Sequence, residues 1–206
     1  MSGFLLSGCI GDEGATPDDL ARHLDANPGA TTITVNSPGG SAFDGAAMLA
    51  HLQAHGNATC RIVGIAASAA SLVVMGAKRI IMHPTAHLMI HNPAAVVFGH
   101  AEALRDEADV LDKLAGTYAQ AYARATGNPV ARIAAWMDAE TWLTADEALA
   151  LHFCDEIDGE GTRGKAVAAF DYGRFRAAPP ALVRLAKKNG WANGLPAKLE
   201  KGSDDE

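Results

Sequence analysis

Apolar residues recur along this chain with two different periods, and the two alternate. Residues 4–10, 31–35 and 59–65 are short, β-branched or apolar runs that read as strands. Residues 79–82 and 87–90 are two more, separated by Pro84. Between the strands the spacing turns helical. Thr16, Pro17 and the two aspartates after them form a helix start, with a side-chain oxygen cap and proline in the first turn. Residues 41–55 read as a helix with an apolar face through Ala47, Leu49 and Leu52, closed by Gly56. Residues 68–75 read as a short buried helix of small side chains. Strand–helix–strand alternation with long crossovers predicts an α/β fold with parallel strands.

The longest periodic segment is 101–126. Leu104, Ala108, Leu111, Ala115, Tyr118 and Tyr122 repeat at spacings of four and three, and Gly127 closes the helix. Twenty-six residues at a rise of 1.5 Å give about 40 Å, more than one small domain covers, so part of the stripe is expected to meet another subunit. Two shorter helices follow, near 130–137 and 144–151, the second with Thr144 and Glu147 in a capping-box pattern. Beyond about residue 160 the periodicity fades, and 187–206 read as a flexible tail.

Composition adds boundaries. The chain has 206 residues, 49% hydrophobic and 20% charged, which suits one domain with a real core. The longest apolar run, 62–77, falls short of the roughly 20 residues a membrane crossing needs. No basic residue precedes the first apolar stretch, so no secretory signal is expected. Cys9, Cys60 and Cys154 are odd in number and set among apolar residues, the pattern of reduced thiols in a cytoplasmic protein. Residues 1–162 carry 8 basic against 19 acidic side chains, whereas 163–201 carry 9 against 2. The expected organisation is therefore a domain over 1–160 and a basic arm and tail over 161–206. The arm reads as solvated or self-docking; with few aromatics and no recognition motif, it makes a nucleic-acid partner an unfavoured reading.

Three segments could carry chemistry. Ser68 lies in Gly64-Ile-Ala-Ala-Ser-Ala69, where a strand hands over to a helix and backbone N–H groups favour a developing anion. Ser71, one turn on, points into helix packing. A serine nucleophile needs a base, and His91 follows a strand end just before Asn92-Pro93. His83, His87 and His91 recur every four residues, but Pro84 and Pro93 break any helix and no carboxylate or cysteine cluster joins them, so no metal site is expected. Asn36-Ser37-Pro38-Gly39-Gly40 reads as a turn ending the strand, where paired glycines admit another backbone. It lacks the Lys-Ser/Thr of a phosphate loop.

Taken in order, Asn-Ser-Pro-Gly-Gly, Gly-Ile-Ala-Ala-Ser-Ala and Met-Ile-His-Asn-Pro resemble the Clp protease proteolytic subunit over roughly residues 4–158. The likeness extends to Clp-like peptidases of phages and prophages linked to capsid maturation. The resemblance implies a spiral of ββα units, shared with the crotonase group, with a long protruding handle helix at 101–126. It implies a cofactor-free serine endopeptidase acting on polypeptide, with Ser68 as nucleophile, His91 as base, and Gly40 and Ala69 as oxyanion-hole donors. The family's acid is usually aspartate; here Glu140 stands at that position, with Asp138 as the second choice. Implied partners are other copies in homo-oligomeric rings, capsid or scaffold proteins, and an ATP-driven unfoldase, whose docking loops are expected to be missing from the short N-terminus. Rival readings are a Ser–Lys signal-peptide-peptidase-like enzyme using Lys78, an acyl-CoA hydratase or isomerase, and a proteolytically silent assembly protein on the same fold.

Overall fold

A computed structural model describes residues 3–13, 15–159 and 167–193. The chain divides into two compact units, Met1–Ala168 and Ala169–Glu206. In the first, strands β1 (Phe4–Ile10), β2 (Thr31–Gly40), β3 (Ala58–Ala67), β4 (Arg79–Met82) and β7 (Glu156–Ile157) lie side by side in that order. All four pairings are parallel. Helices α1 (Pro17–Ala26) and α2 (Ala42–His55) are crossovers between the first three strands. The predicted helix start at Thr16 heads α1, and there Thr16 and Asp19 exchange hydrogen bonds in a capping box.

Strand β3 serves two neighbours. Its first half, Thr59–Ile62, pairs with β4, and its second half, Ile65–Ala67, pairs with β5 (His87–Ile90). The sheet thereby opens at the carboxyl end of β3, where Ser68 follows. β5 in turn pairs antiparallel with β6 (Thr141–Thr144), a departure from the all-parallel expectation. The core runs along both sides of β3, with Leu6, Ile33, Ile62, Met48 and Leu52 fully buried.

Three sequence expectations change. β2 continues through Asn36–Gly40 instead of ending before it, because β1 bulges between Ser7 and Cys9 and follows it to Gly40. The buried face of α2 runs through Gly45, Met48 and Leu52, with Ala47 only half-buried. Gly45 is required there, since a β-carbon on it would lie 2.9 Å from that of Ala69. The region beyond 160 is not without regular structure. In the second unit, helix α7 (Pro180–Lys188) follows a 3₁₀ turn at Tyr172–Arg174 and buries Leu182 and Ala186. Residues 161–166 and 194–206 of the expected arm and tail lie outside the described residues.

Helix α4 spans Ala101–Thr126, with the predicted limits. Its second half buries Tyr118, Ala119 and Tyr122, whereas Leu104 and Val110 in its first half stay 46% and 38% exposed. Helix α5 (Val130–Ala139) packs on it, and Glu140 then turns the chain into β6 with φ 55° and ψ 74°. Helix α6 (Ala145–Ala150) begins with the predicted Thr144–Glu147 capping box. Among the described residues, no helix is long and apolar enough to cross a membrane.

Candidate active site

The site forms where β3 and β5 end and β6 begins. Ser68 caps helix α3 (Ala69–Val74) with φ 55° and ψ −129°, a conformation that non-glycine residues rarely hold. Such a sharp strand-to-helix turn thrusts the side chain away from the backbone, as at the nucleophile elbow of α/β-hydrolases. Two sets of contacts fix it. The Ser68 N–H donates to the Met89 carbonyl at 3.0 Å, and the Ser68 carbonyl accepts from the backbone of Ser71 and Leu72. All six residues of α3 are buried, which explains their small or apolar character.

His91 follows β5 directly. Its Nε2 lies 2.7 Å from Ser68 Oγ. Burial holds the imidazole below the usual histidine range, and the negative charge of Glu140 partly offsets that effect. The ring is thus neutral near pH 7, the state in which Nε2 can accept a proton. Glu140 reaches this position through strand register. β5 and β6 pair His87 with Thr144 down to Ile90 with Thr141, so His91 directly follows, and Glu140 directly precedes, the last paired residues. Glu140 is buried, and its Oε1 accepts from Trp142 Nε1 at 3.3 Å. Asp138 is engaged differently: its Oδ1 accepts from Asn92 Nδ2 at 2.7 Å.

The motif Asn36–Gly40 is held residue by residue, and its Gly39 lies against the elbow. Asn36 Oδ1 accepts from the Ala168 N–H at 3.1 Å. Ser37 Oγ donates to the Gly8 carbonyl at 2.6 Å and accepts from the Gly39 N–H at 3.1 Å, pinning the bulge. Gly39, at φ 98°, lies so close to the elbow that a β-carbon would sit 2.7 Å from the Ala67 carbonyl oxygen and 2.9 Å from the Ala69 nitrogen. Gly40, at φ 149°, leaves no room for a β-carbon beside the Ile10 backbone. The Ala69 N–H belongs to the first turn of α3, where a helix supplies no acceptor of its own.

A small cleft of about 40 Å³ opens beside these groups. Ser68, Ala69 and Gly40 form its polar edge, and Ala42, Leu72, Pro93, Ala94, Tyr118 and Tyr122 its apolar wall. The two tyrosines read from sequence only as part of the α4 stripe; their spacing of four next to a buried serine-rich helix is the one signal that could have placed them here. Tyr118 Oη donates to the Ala42 carbonyl at 2.7 Å, and Tyr122 Oη lies 2.8 Å from Ser71 Oγ. Ser71 is therefore held in packing.

The other candidates lie elsewhere. Lys78 Nζ donates to Asn57 Oδ1 at 3.1 Å, and the Lys78 N–H donates to the Ala58 carbonyl at the start of β3. Ser68 follows the other end of that strand, about 30 Å away at roughly 3.3 Å per residue. His83 Nδ1 accepts from the Thr85 N–H at 3.2 Å, apart from His91.

A serine in a strained strand-to-helix turn thus lies within hydrogen-bonding distance of a half-buried histidine on a mostly parallel α/β scaffold. Residues 23–160 match the family model of the Clp protease, and the chain belongs to that family. It is 34% identical over 131 residues to the ATP-dependent Clp protease proteolytic subunit of Oltmannsiellopsis viridis, covering 61% of this chain and 66% of that one. It is 32% identical over 129 residues to proteolytic subunit 2 of Thermobifida fusca (strain YX), covering 61% and 64%. The match thus spans slightly less than two thirds of these curated relatives. The fold is similar to that of a ClpP1 mutant from Listeria monocytogenes, with TM-score 0.68 and 23% identity over 77% of this chain and 92% of that one.

Proposed function

We propose that the chain is a serine endopeptidase that cleaves extended polypeptide through an acyl-enzyme on Ser68. The observation that carries this reading is the 2.7 Å contact between Ser68 Oγ and a half-buried, neutral His91. Ser68 Oγ attacks the peptide carbonyl carbon while its proton passes to His91 Nε2. The carbonyl oxygen takes up the electron pair and is received by the N–H groups of Gly40 and Ala69. Its collapse breaks the C–N bond, and His91 gives the proton to the departing amine. Water then attacks the ester by the same route, restoring Ser68 and releasing the acid. Glu140 orients the imidazole and stabilises its charged form, while Asp138 secures Asn92 beside it.

The family relation supports polypeptide as substrate, and exposed Leu104 and Val110 on α4 support assembly with further copies of the chain. The position of Lys78 at the far end of β3 weighs against a Ser–Lys mechanism. Hydrolysis of a fluorogenic peptide and of unfolded casein by wild type, Ser68→Ala and His91→Ala tests the proposal. Each variant is expected to lose all but about a thousandth of the activity, and the double variant no more, because the pair acts as a unit. Undiminished hydrolysis by either single variant would contradict it.

A further inference from the structure

Ser71 and Tyr122 take no part in the chemistry proposed above, yet both are buried directly behind the elbow, at 0% and 2% exposure. Ser71 Oγ donates to the Ser68 carbonyl at 2.7 Å. That bond uses the only hydrogen the hydroxyl has. The 2.8 Å contact between Ser71 Oγ and Tyr122 Oη then has one possible sense: Tyr122 donates and Ser71 accepts. Burial raises the tyrosine's titration well above its ordinary range, so it keeps its proton throughout the working pH. The result is a directed chain, from Tyr122 O–H to Ser71 O–H to the carbonyl of Ser68.

The end of that chain matters because a peptide unit is planar and rigid. The Ser68 carbonyl and the Ala69 N–H belong to one peptide plane. Fixing the first fixes the direction of the second. A donor on the carbonyl also polarises the amide, and hydrogen bonds in series strengthen one another, by roughly 10–30% per bond. The strained φ of Ser68 makes a side-chain donor on this carbonyl useful, added to the backbone N–H groups of Ser71 and Leu72 that it already accepts from.

We infer that Tyr122 and Ser71 are positioning residues that aim and polarise the Ala69 N–H toward the developing oxyanion. The inference rests on the peptidase reading, and deepens it by linking helix α4 to the oxyanion hole through Tyr122. Neither residue touches the substrate carbonyl. Their effect belongs to the transition state, where the negative charge appears.

The test compares wild type with Tyr122→Phe, Ser71→Ala, Ser71→Cys and the Ser71→Ala/Tyr122→Phe double variant, well below their melting temperatures. Peptide hydrolysis gives kcat and KM, and inhibition by a peptide boronate measures affinity for a tetrahedral adduct. Weakening a donor costs less than removing one, so kcat should fall about 5- to 20-fold in Tyr122→Phe and in Ser71→Ala. KM should stay within about twofold, and boronate affinity should fall by the same factor as kcat. Ser71→Cys, with a weaker donor in place, should fall between wild type and Ser71→Ala. The double variant should be no worse than about twofold below the poorer single one, because either change cuts the same chain. Unchanged kcat with a lowered melting temperature, or losses that multiply in the double variant, would overturn the inference. Hydrolysis that survives Ser68→Ala would instead overturn the peptidase reading itself.

Discussion

Gly39 and Ser68 meet backbone to side chain: a β-carbon on Gly39 would stand 2.7 Å from the β-carbon of Ser68. Two strand ends are thus pressed together at the residue in the most unusual backbone conformation near the cleft. With φ at 98°, Gly39 is strained by any side chain even before the overlap is counted. Gly39→Ala is expected to cost about 2 kcal/mol or more in urea unfolding. It should also lower peptide hydrolysis at least about 100-fold, since small displacements of a nucleophile have costs of that order. A variant of wild-type stability and activity would show that the elbow has slack the structure denies.

The pairing of His91 with Glu140 makes a prediction about pH. Activity requires neutral His91, so kcat/KM should rise with pH through the histidine's titration. Burial places that rise below the ordinary value of 6.5, and the Glu140 charge keeps it from falling further. Removing the charge in Glu140→Gln therefore moves the acid limb to lower pH. At the same time the plateau should drop by on the order of 10²–10⁴-fold, because the imidazolium loses its partner. Asp138→Asn should leave the limb in place. A limb unmoved in Glu140→Gln, or moved only in Asp138→Asn, would exchange the roles of the two acids.

Lys78 offers the complementary control. Held to Asn57 at the start of β3, it has no route to Ser68. Lys78→Ala is expected to keep kcat/KM within about twofold and the same pH profile, as surface changes away from a site usually do. Loss of activity at normal stability would revive a lysine base.

The parts of the fold legible in the sequence are those whose signals are local. The α4 stripe, the caps at Thr16 and Thr144, and the run His87–Ile90 all carry their own evidence within a few residues. β6 and β7 do not: each is four residues or fewer and exists through partners some fifty or more positions away. Asn36–Gly40 looks like a turn because proline and two glycines usually make one; a bulge in β1 turns it into a strand end instead. The site divides the same way. Its motifs single out Ser68 and His91, and the structure brings them within hydrogen-bonding distance. Bringing Glu140 to His91 needs the β5–β6 register, and joining Tyr122 to Ser71 needs α4 laid on α3, a contact across 51 positions with no local trace.

The central claim is an activated Ser68, and covalent labelling tests it most directly. Wild-type protein, assembled as it is isolated, is treated with a fluorophosphonate probe beside Ser68→Ala and His91→Ala, and the adduct is located by mass spectrometry. The expected result is one phosphonylated residue, Ser68, labelled in wild type and in neither variant. No adduct on well-folded wild type, or one that persists on another residue in Ser68→Ala, would contradict the account.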